Sequence, residues 1–328
     1  MNVHKEFIFA GGQAFAQCHA STLVELADGG FLAAWFGGSA EGKDDVAIWG
    51  ARRTDGTWAK PERLAKVRDD PHWNPVLFAD GVGKIYLFFK VGKSVKTWET
   101  WVISSCDQGR HWSAPRELVP GDKGGRGPVK NKPIILSDGT WLAPGSLEGG
   151  GWRVFFDRSG DGGRTWESST PIGEGVIQPT LWESAPGRVH MLARSACGVL
   201  CRSDSQDYGK TWAEVYRTAI PNNCSGIDLT ALGDGTLVLL HNPSPPDKTH
   251  VWGVRTPLTL TLSLDNGETW PVRQDLENKP AIGDVLPEFS YPAIIKTSSG
   301  FAFTYTWERE TIAFGAVASQ DVPTRDTR

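Results

Sequence analysis

Long apolar runs are missing from this 328-residue chain, and no stretch approaches the ~20 residues that a membrane-spanning helix needs. The opening segment MNVHKEFIFAGGQAF has neither a basic lead nor a sustained apolar run, so no signal peptide and a cytoplasmic location are expected. Positive charge is also short, with 34 Lys and Arg against 38 Asp and Glu. A net charge of −4 and a pI near 6.0 argue against a nucleic-acid or membrane-surface partner. Cysteine is limited to positions 18, 106, 197, 201 and 224, an odd count without CxxC spacing, which suits a reducing compartment better than a disulfide framework. Cys197 and Cys201 lack Cys or His partners at metal-ligand spacing and read as buried thiols. No metal or cofactor motif appears, so neither is expected; His4, His72, His111 and His250 are scattered. No long amphipathic helical pattern appears, and Pro and Gly are spread without a linker-like cluster.

What the chain does hold is 15 Trp and 38 Gly, a composition of many tight turns and aromatic surface. One stretch organises it. Ser-x-Asp-x-Gly-x-(Thr/His)-Trp occurs at Ser105–Trp112, Ser159–Trp166, Ser205–Trp212 and Ser263–Trp270, with a worn copy, TDGTW, ending at Trp58. The Asp can accept hydrogen bonds from nearby backbone N–H groups, the Gly can take positive φ, and the Trp can pack the turn onto a neighbouring strand. Four full copies point to a repeat architecture.

A second periodicity interlocks with the first. Apolar strand-like runs flank turns at Asp28, Asp80, Asp138, Pro186, Asp234 and Ser299, a hairpin signature roughly every fifty to sixty residues. The Asp turns fall between these hairpins, so each unit reads as four strands. Six such units predict an all-β fold, a six-bladed β-propeller with Asp-box turns. We read 1–328 as one domain, with the propeller over about 10–315 and a polar, fraying tail.

Equivalent offsets in propeller repeats converge on a central funnel. Before the hairpin turns stand His19, His72 and Asn74, Lys130 and Lys132, Gln178, Asn223 and Ser225, and Tyr291. After them stand Gly37 and Gly38, Lys90, Glu148, Arg194, His241 and Asn242, and Trp307. Two polar and aromatic rings at matched offsets predict one concave site. Lys90, Lys130, Lys132 and Arg194, with Arg153 and Arg255 near, would make it cationic and suited to an anionic ligand. Trp98, Trp101, Trp152 and Trp307 offer faces for a sugar ring, with blade packing as the alternative for each.

The repeated motif is the Asp-box, and with six hairpin units the chain resembles the sialidase (neuraminidase) superfamily over about residues 10 to 315, most closely its bacterial BNR-repeat "sialidase-like" members. The resemblance implies that MLARS carries a carboxylate-binding arginine, Arg194. It also implies a tyrosine nucleophile in FSYPAII, Tyr291, and an acid/base aspartate in EGKDDVAIWGARR, Asp44 or Asp45. Three positions depart from the family. CHAST, with His19, stands where a Tyr-Arg-Ile-Pro motif carries the first arginine. Gln178 replaces a glutamate, and Arg255, the one nearby candidate for a third arginine, sits at another offset.

Three functions follow as expectations. A retaining glycosidase would use Tyr291 as nucleophile and Asp44 as acid/base, on an acidic oligosaccharide or glycoside bound through Arg194 and Lys130 or Lys132. Asp228 or Glu148 would then replace the missing glutamate. A lyase acting on a uronate would use His19 and Tyr291 as the proton-transfer pair. A sugar-binding propeller would do no chemistry.

Overall fold

All six expected turns join a first strand to a second, and the sheets they build make a six-bladed β-propeller. The structure is a computed structural model that describes residues 1–12, 15–245, 253–280 and 286–323. Strand β1 (His4–Phe7) is held for the last blade. The first blade is β2 (Gln17–Glu25), β3 (Phe31–Gly38) and β4 (Ala47–Thr54), with β5 (Thr57–Trp58) and β6 (Glu62–Ala65) both along β4. The second is β7 (His72–Ala79), β8 (Ile85–Val91), β9 (Glu99–Ser105) and β10 (Arg116–Glu117). The third is β11 (Ile134–Ile135), β12 (Trp141–Leu147), β13 (Arg153–Ser159) and β14 (Glu167–Ser168). The fourth is β15 (Val176–Ala185), β16 (Arg188–Ser195), β17 (Val199–Ser205) and β18 (Tyr216–Pro221). The fifth is β19 (Asp228–Ala231), β20 (Leu237–His241), β21 (Leu258–Ser263) and β22 (Val272–Glu277). The sixth is β23 (Phe289–Thr297), β24 (Gly300–Trp307) and β25 (Thr311–Ala318).

The ring is closed by β1, which pairs with β25 from His4↔Ala316 to Phe7↔Ala313. The propeller therefore begins before residue 10 and runs past 315. Ser319–Asp321 form a 3-10 turn and Val322 is buried in the core shared by the fifth and sixth blades, so this part of the tail is packed; 324–328 lie outside the described residues. The second strand of each blade is covered on both faces, which is why β3, β8 and β20 are buried end to end and read as near-continuous apolar runs. Among the described residues no helix is long and apolar enough to cross a membrane.

The four Asp turns connect third to fourth strands. Asp161 Oδ1 accepts from the backbone N–H of Arg164 (3.0 Å) and Thr165 (2.9 Å), while Ser159 Oγ donates to the same carboxylate and accepts from Gly163 N–H. Both residues after each Asp take positive φ, for example Gln108 and Gly109 or Tyr208 and Gly209. The strain of a non-glycine residue there is balanced by the carboxylate's bonds across the turn. The Trp of the third copy, Trp212, stacks on Phe156 of the preceding blade at 3.9 Å. The turn thus staples one blade to the next.

His72 opens β7 as a buried neutral imidazole. Its Nδ1–H donates to Asp70 O (2.8 Å) and Nε2 accepts the Val67 N–H (2.9 Å). Burial pushes it down to about 4, against which the Asp70 carbonyl pulls only part of the way. Because the unfolded chain binds this proton near pH 6.5, the stability it confers is present above that pH and falls as pH drops to 4. The unfolding free energy should decline over that window by roughly 2–3 kcal/mol from this group, read from denaturation curves. The His72→Gln variant should show a shallower decline; an unchanged slope would refute the assignment.

Candidate functional site

At the start of each blade's first strand one non-glycine residue takes positive φ: Ala20, Asn74, Lys130, Gln178, Cys224 and Tyr291, between 41° and 68°. In β2, β7, β15 and β23 the register shifts at this point, the mark of a β-bulge. Six equivalent bulged or left-handed positions re-aim one side chain per blade. Such strain costs on the order of 1 kcal/mol each and is held by surrounding structure.

Tyr291 is the centre. Arg194, reaching from β16, donates through Nη1 to Tyr291 Oη (2.9 Å) and to Gln178 Oε1 (3.0 Å), with Nη2 3.8 Å from Cys224 Sγ. Gln178 Nε2 donates on to Glu148 Oε1 (2.9 Å), which also accepts from Ser146 Oγ. The guanidinium carbons of Arg194 and Arg255 lie 5.6 and 5.4 Å from the Tyr291 ring centre. Arg255 pairs with Glu288 (2.6 Å), and Glu288 also accepts from Arg309 Nε (3.0 Å) and Ser290 Oγ. Arg309 Nη1 reaches Glu41 at 2.6 Å. The His19 ring packs on Tyr291 at 4.2 Å, and its Nδ1 is 3.8 Å from Glu288.

The electrostatics follow. Burial, and next the Arg309 charge, push His19 well below its ordinary value, so the imidazole is neutral. Burial would raise the Glu288 carboxyl, but the permanent charges of Arg255 and Arg309 hold it far below the usual carboxylate range. Arg194 is nearly fully buried and carries its charge into the cluster. The result is a phenol hydroxyl set among cations.

The Asp44–Asp45 ambiguity separates physically. Asp45 fixes the loop after β3, accepting from Ser39 N–H (2.8 Å) and Ser39 Oγ (2.9 Å). The Asp44 carboxylate is 58% exposed, with Lys93 at 3.7 Å.

Several residues expected to line a cationic funnel do other work. Lys90 is fully buried, donating to Thr100 Oγ1, Gly125 O and Arg126 O. Lys130 donates to Asn131 Oδ1 and to the carbonyls of Ile227 and Pro292, tying the third blade to the fifth and sixth. Burial pulls both ammonium groups down to about 7. Lys132 pairs with Asp228 (3.0 Å), whose carboxylate also accepts from Thr180 Oγ1 (2.8 Å) and Ile294 N–H (2.9 Å). Asp228 is therefore a bridge between blades, its carboxylate taken up by Lys132, Thr180 and Ile294. Asn223 is taken up by Val254 O and Ser225 N–H, and Asn242 by Pro257 O and Phe289 O. Trp307 packs on Phe7 and Phe289, and Trp98 is buried. Asn74 is buried at its left-handed position. Trp152 and Arg153 line an open depression with Leu147 and Gly149, which flank Glu148. His250 lies outside the described residues. The reason for these departures is common: an unpaired charge buried between blades is costly, so the fold spends it on carbonyls and carboxylates.

Glu288, Arg309, Glu41 and Cys224 were absent from the expected site. Glu288 had a usable signal, a carboxylate three residues before Tyr291. Arg309 had none. It occupies the β24–β25 turn, where Glu308 and Arg309 both take positive φ and Glu310 N–H closes on Trp307 O (3.1 Å). That hairpin turn favours Asn-Gly, so a Glu-Arg pair there is unreadable from local preference. Among the described residues no group of three or more His, Cys, Asp or Glu side chains could hold a metal ion.

Comparisons with known proteins give the same architecture. A family model described as a BNR repeat-like domain matches residues 29–303. A sialidase of Micromonospora viridifaciens is 26% identical over 279 residues, covering 74% of this chain but only 42% of that protein. Among solved structures, the Hadza microbial sialidase Hz136 superposes with a TM-score of 0.81 at 19% identity, over 97% of this chain and 69% of that one. A protein of unknown function from Dyadobacter fermentans gives 0.76 at 16% identity, over 95% and 98%. The K499G mutant of NanB sialidase from Streptococcus pneumoniae gives 0.75 at 13%, over 96% and 71%. At those identities the structures speak for the fold alone.

Proposed function

This chain belongs to the BNR repeat-like domain family, and on that premise we propose that it is a glycoside hydrolase of sialidase type that removes a terminal acidic sugar from a small glycoside. One observation carries the reading: the Tyr291 hydroxyl accepts a hydrogen bond from the buried Arg194, with Arg255 beside the same ring. A phenol is a suitable nucleophile where a carboxylate would be repelled by an anionic sugar. Arg194, Arg255 and Arg309 supply the charge that holds the substrate carboxylate, in place of the lysines expected for that role. Tyr291 Oη, having lost its proton to solvent at the half-buried ring, attacks the anomeric carbon. Asp44 protonates the departing oxygen and then takes a proton from the water that cleaves the glycosyl-tyrosine. Gln178 cannot accept a proton; it links Glu148 to Arg194 and so orients the guanidinium.

A uronate lyase is the second reading, favoured by the neutral His19 ring against Tyr291. Incubation with sialosides, other 2-keto-3-deoxy glycosides and glucuronyl-linked oligosaccharides separates the two. A product heavier by one water supports the hydrolase, and an unsaturated, ultraviolet-absorbing product overturns it. Binding without any product would leave a sugar-binding propeller.

A further inference from the structure

Cys197 and Cys201 were expected as buried thiols. Cys201 is buried on β17, but Cys197 is exposed on the β16–β17 turn, and their sulfurs stand 3.8 Å apart. Both line a cavity shared with Arg153 and Arg217, and Arg217 on β18 is the register partner of Cys201. Ser195 Oγ lies 3.0 Å from Cys197 Sγ, and Cys197 N–H donates to the same hydroxyl.

We propose that Cys197 and Cys201 form a reactive dithiol site that exchanges with anionic low-molecular-weight disulfides and closes to an intramolecular bridge. The geometry favours closure: a bond of about 2.05 Å needs the sulfurs to approach by less than the width of an atom, across a turn containing Gly198. Cys197 is the attacking sulfur because it alone is open to solvent. Partial burial works against its thiolate, but the contacts with Ser195 and Cys201 and the Arg217 charge outweigh this and leave the thiol below its ordinary value. Burial, with the neighbouring Cys197, holds Cys201 up at about 11, so it acts second. Arg217 provides positive charge for a carboxylate of the incoming disulfide, while Arg153 at the same cavity is paired with Glu174 at 3.1 Å.

The exchange balances as follows. The Cys197 thiolate attacks one sulfur of the small disulfide, forming a mixed disulfide and releasing one thiolate. Cys201 gives its proton to solvent and attacks Cys197 Sγ, forming the bridge and releasing the second thiolate, and both released thiolates can take up protons. Two protein thiols are oxidised and one small disulfide is reduced. Bridge formation pulls Cys197 Sγ from Ser195 Oγ, and Ser195 directly follows Arg194 on β16. That consequence for Arg194 rests on the proposed function; the dithiol chemistry does not.

The test treats the full chain with oxidised glutathione, followed by acid quench, intact mass and peptide mapping. The expected product has lost two hydrogens, holds no glutathione at 197 or 201, and carries a 197–201 bridge that dithiothreitol reverses. The Cys201→Ser variant should stop at a glutathione adduct on Cys197, and Cys197→Ser should leave Cys201 unmodified. A stable adduct on Cys197 of the unsubstituted chain would overturn the proposal. So would silence at 197 while Cys106, exposed elsewhere, reacts. Amide exchange at Ala196, whose N–H donates to Gly175 O (2.8 Å), should quicken in the bridged form. Unchanged exchange would remove the link to Arg194 and leave the dithiol standing.

Discussion

Tyr291→Phe should lower turnover of an acidic glycoside by on the order of 10³-fold or more while the protein stays folded. The substitution removes one oxygen. That oxygen's recorded partner is Arg194 Nη1, which keeps its second bond, to Gln178 Oε1. The structural loss is one hydrogen bond, about 1 kcal/mol. The chemical loss is the nucleophile itself. Steady-state kinetics beside a thermal melt check both halves. Near-normal kcat with an unchanged melt would remove Tyr291 from the reaction. Asp44→Asn should behave similarly for glycosides with poor leaving groups and less severely for activated aryl glycosides, which depart without a proton. An equal loss on both substrates would argue that Asp44 acts elsewhere.

Asp228→Ala should be among the most destabilising single changes in the chain, by about 3–5 kcal/mol. The Asp228 carboxylate is buried and serves Lys132 from the third blade, Thr180 from the fourth and the Ile294 N–H from the sixth. Its loss strands an ammonium group and a backbone donor at the centre of the ring, where water cannot compensate fully. A lower denaturation midpoint with unchanged kcat in the remaining folded fraction is the expected pattern. The opposite pattern, intact stability with lost turnover, would restore Asp228 to the catalytic role first read for it.

Much of the architecture is legible from residue order alone. Strand periodicity and the Ser-x-Asp-x-Gly turns are local: the Asp, the Gly and the Trp each act within a few residues or on the next blade. Six hairpins and four such turns therefore fix blade number and strand order before any tertiary contact is known. Tyr291, Arg194 and Gln178 were also readable, because blade equivalence carries them to one rim.

Charge was less readable. Lys90, Lys130 and Lys132 occupy the right offsets, yet offset does not say whether a long side chain ends in a cavity or on a carbonyl. Lys130 reaches Pro292 O across 162 residues, and no sequence pattern announces that. Arg309 shows the converse. It enters from a hairpin turn in the last blade, held at positive φ by β24 and β25 and by the Cys18 N–H to its carbonyl. Local turn chemistry and strand alternation were enough for the repeat and the all-β ring, and blade equivalence for Tyr291 with Arg194. Which cations face Tyr291 and which are spent between blades follows from the closed ring alone, because desolvation and hydrogen bonding depend on the neighbours it brings together.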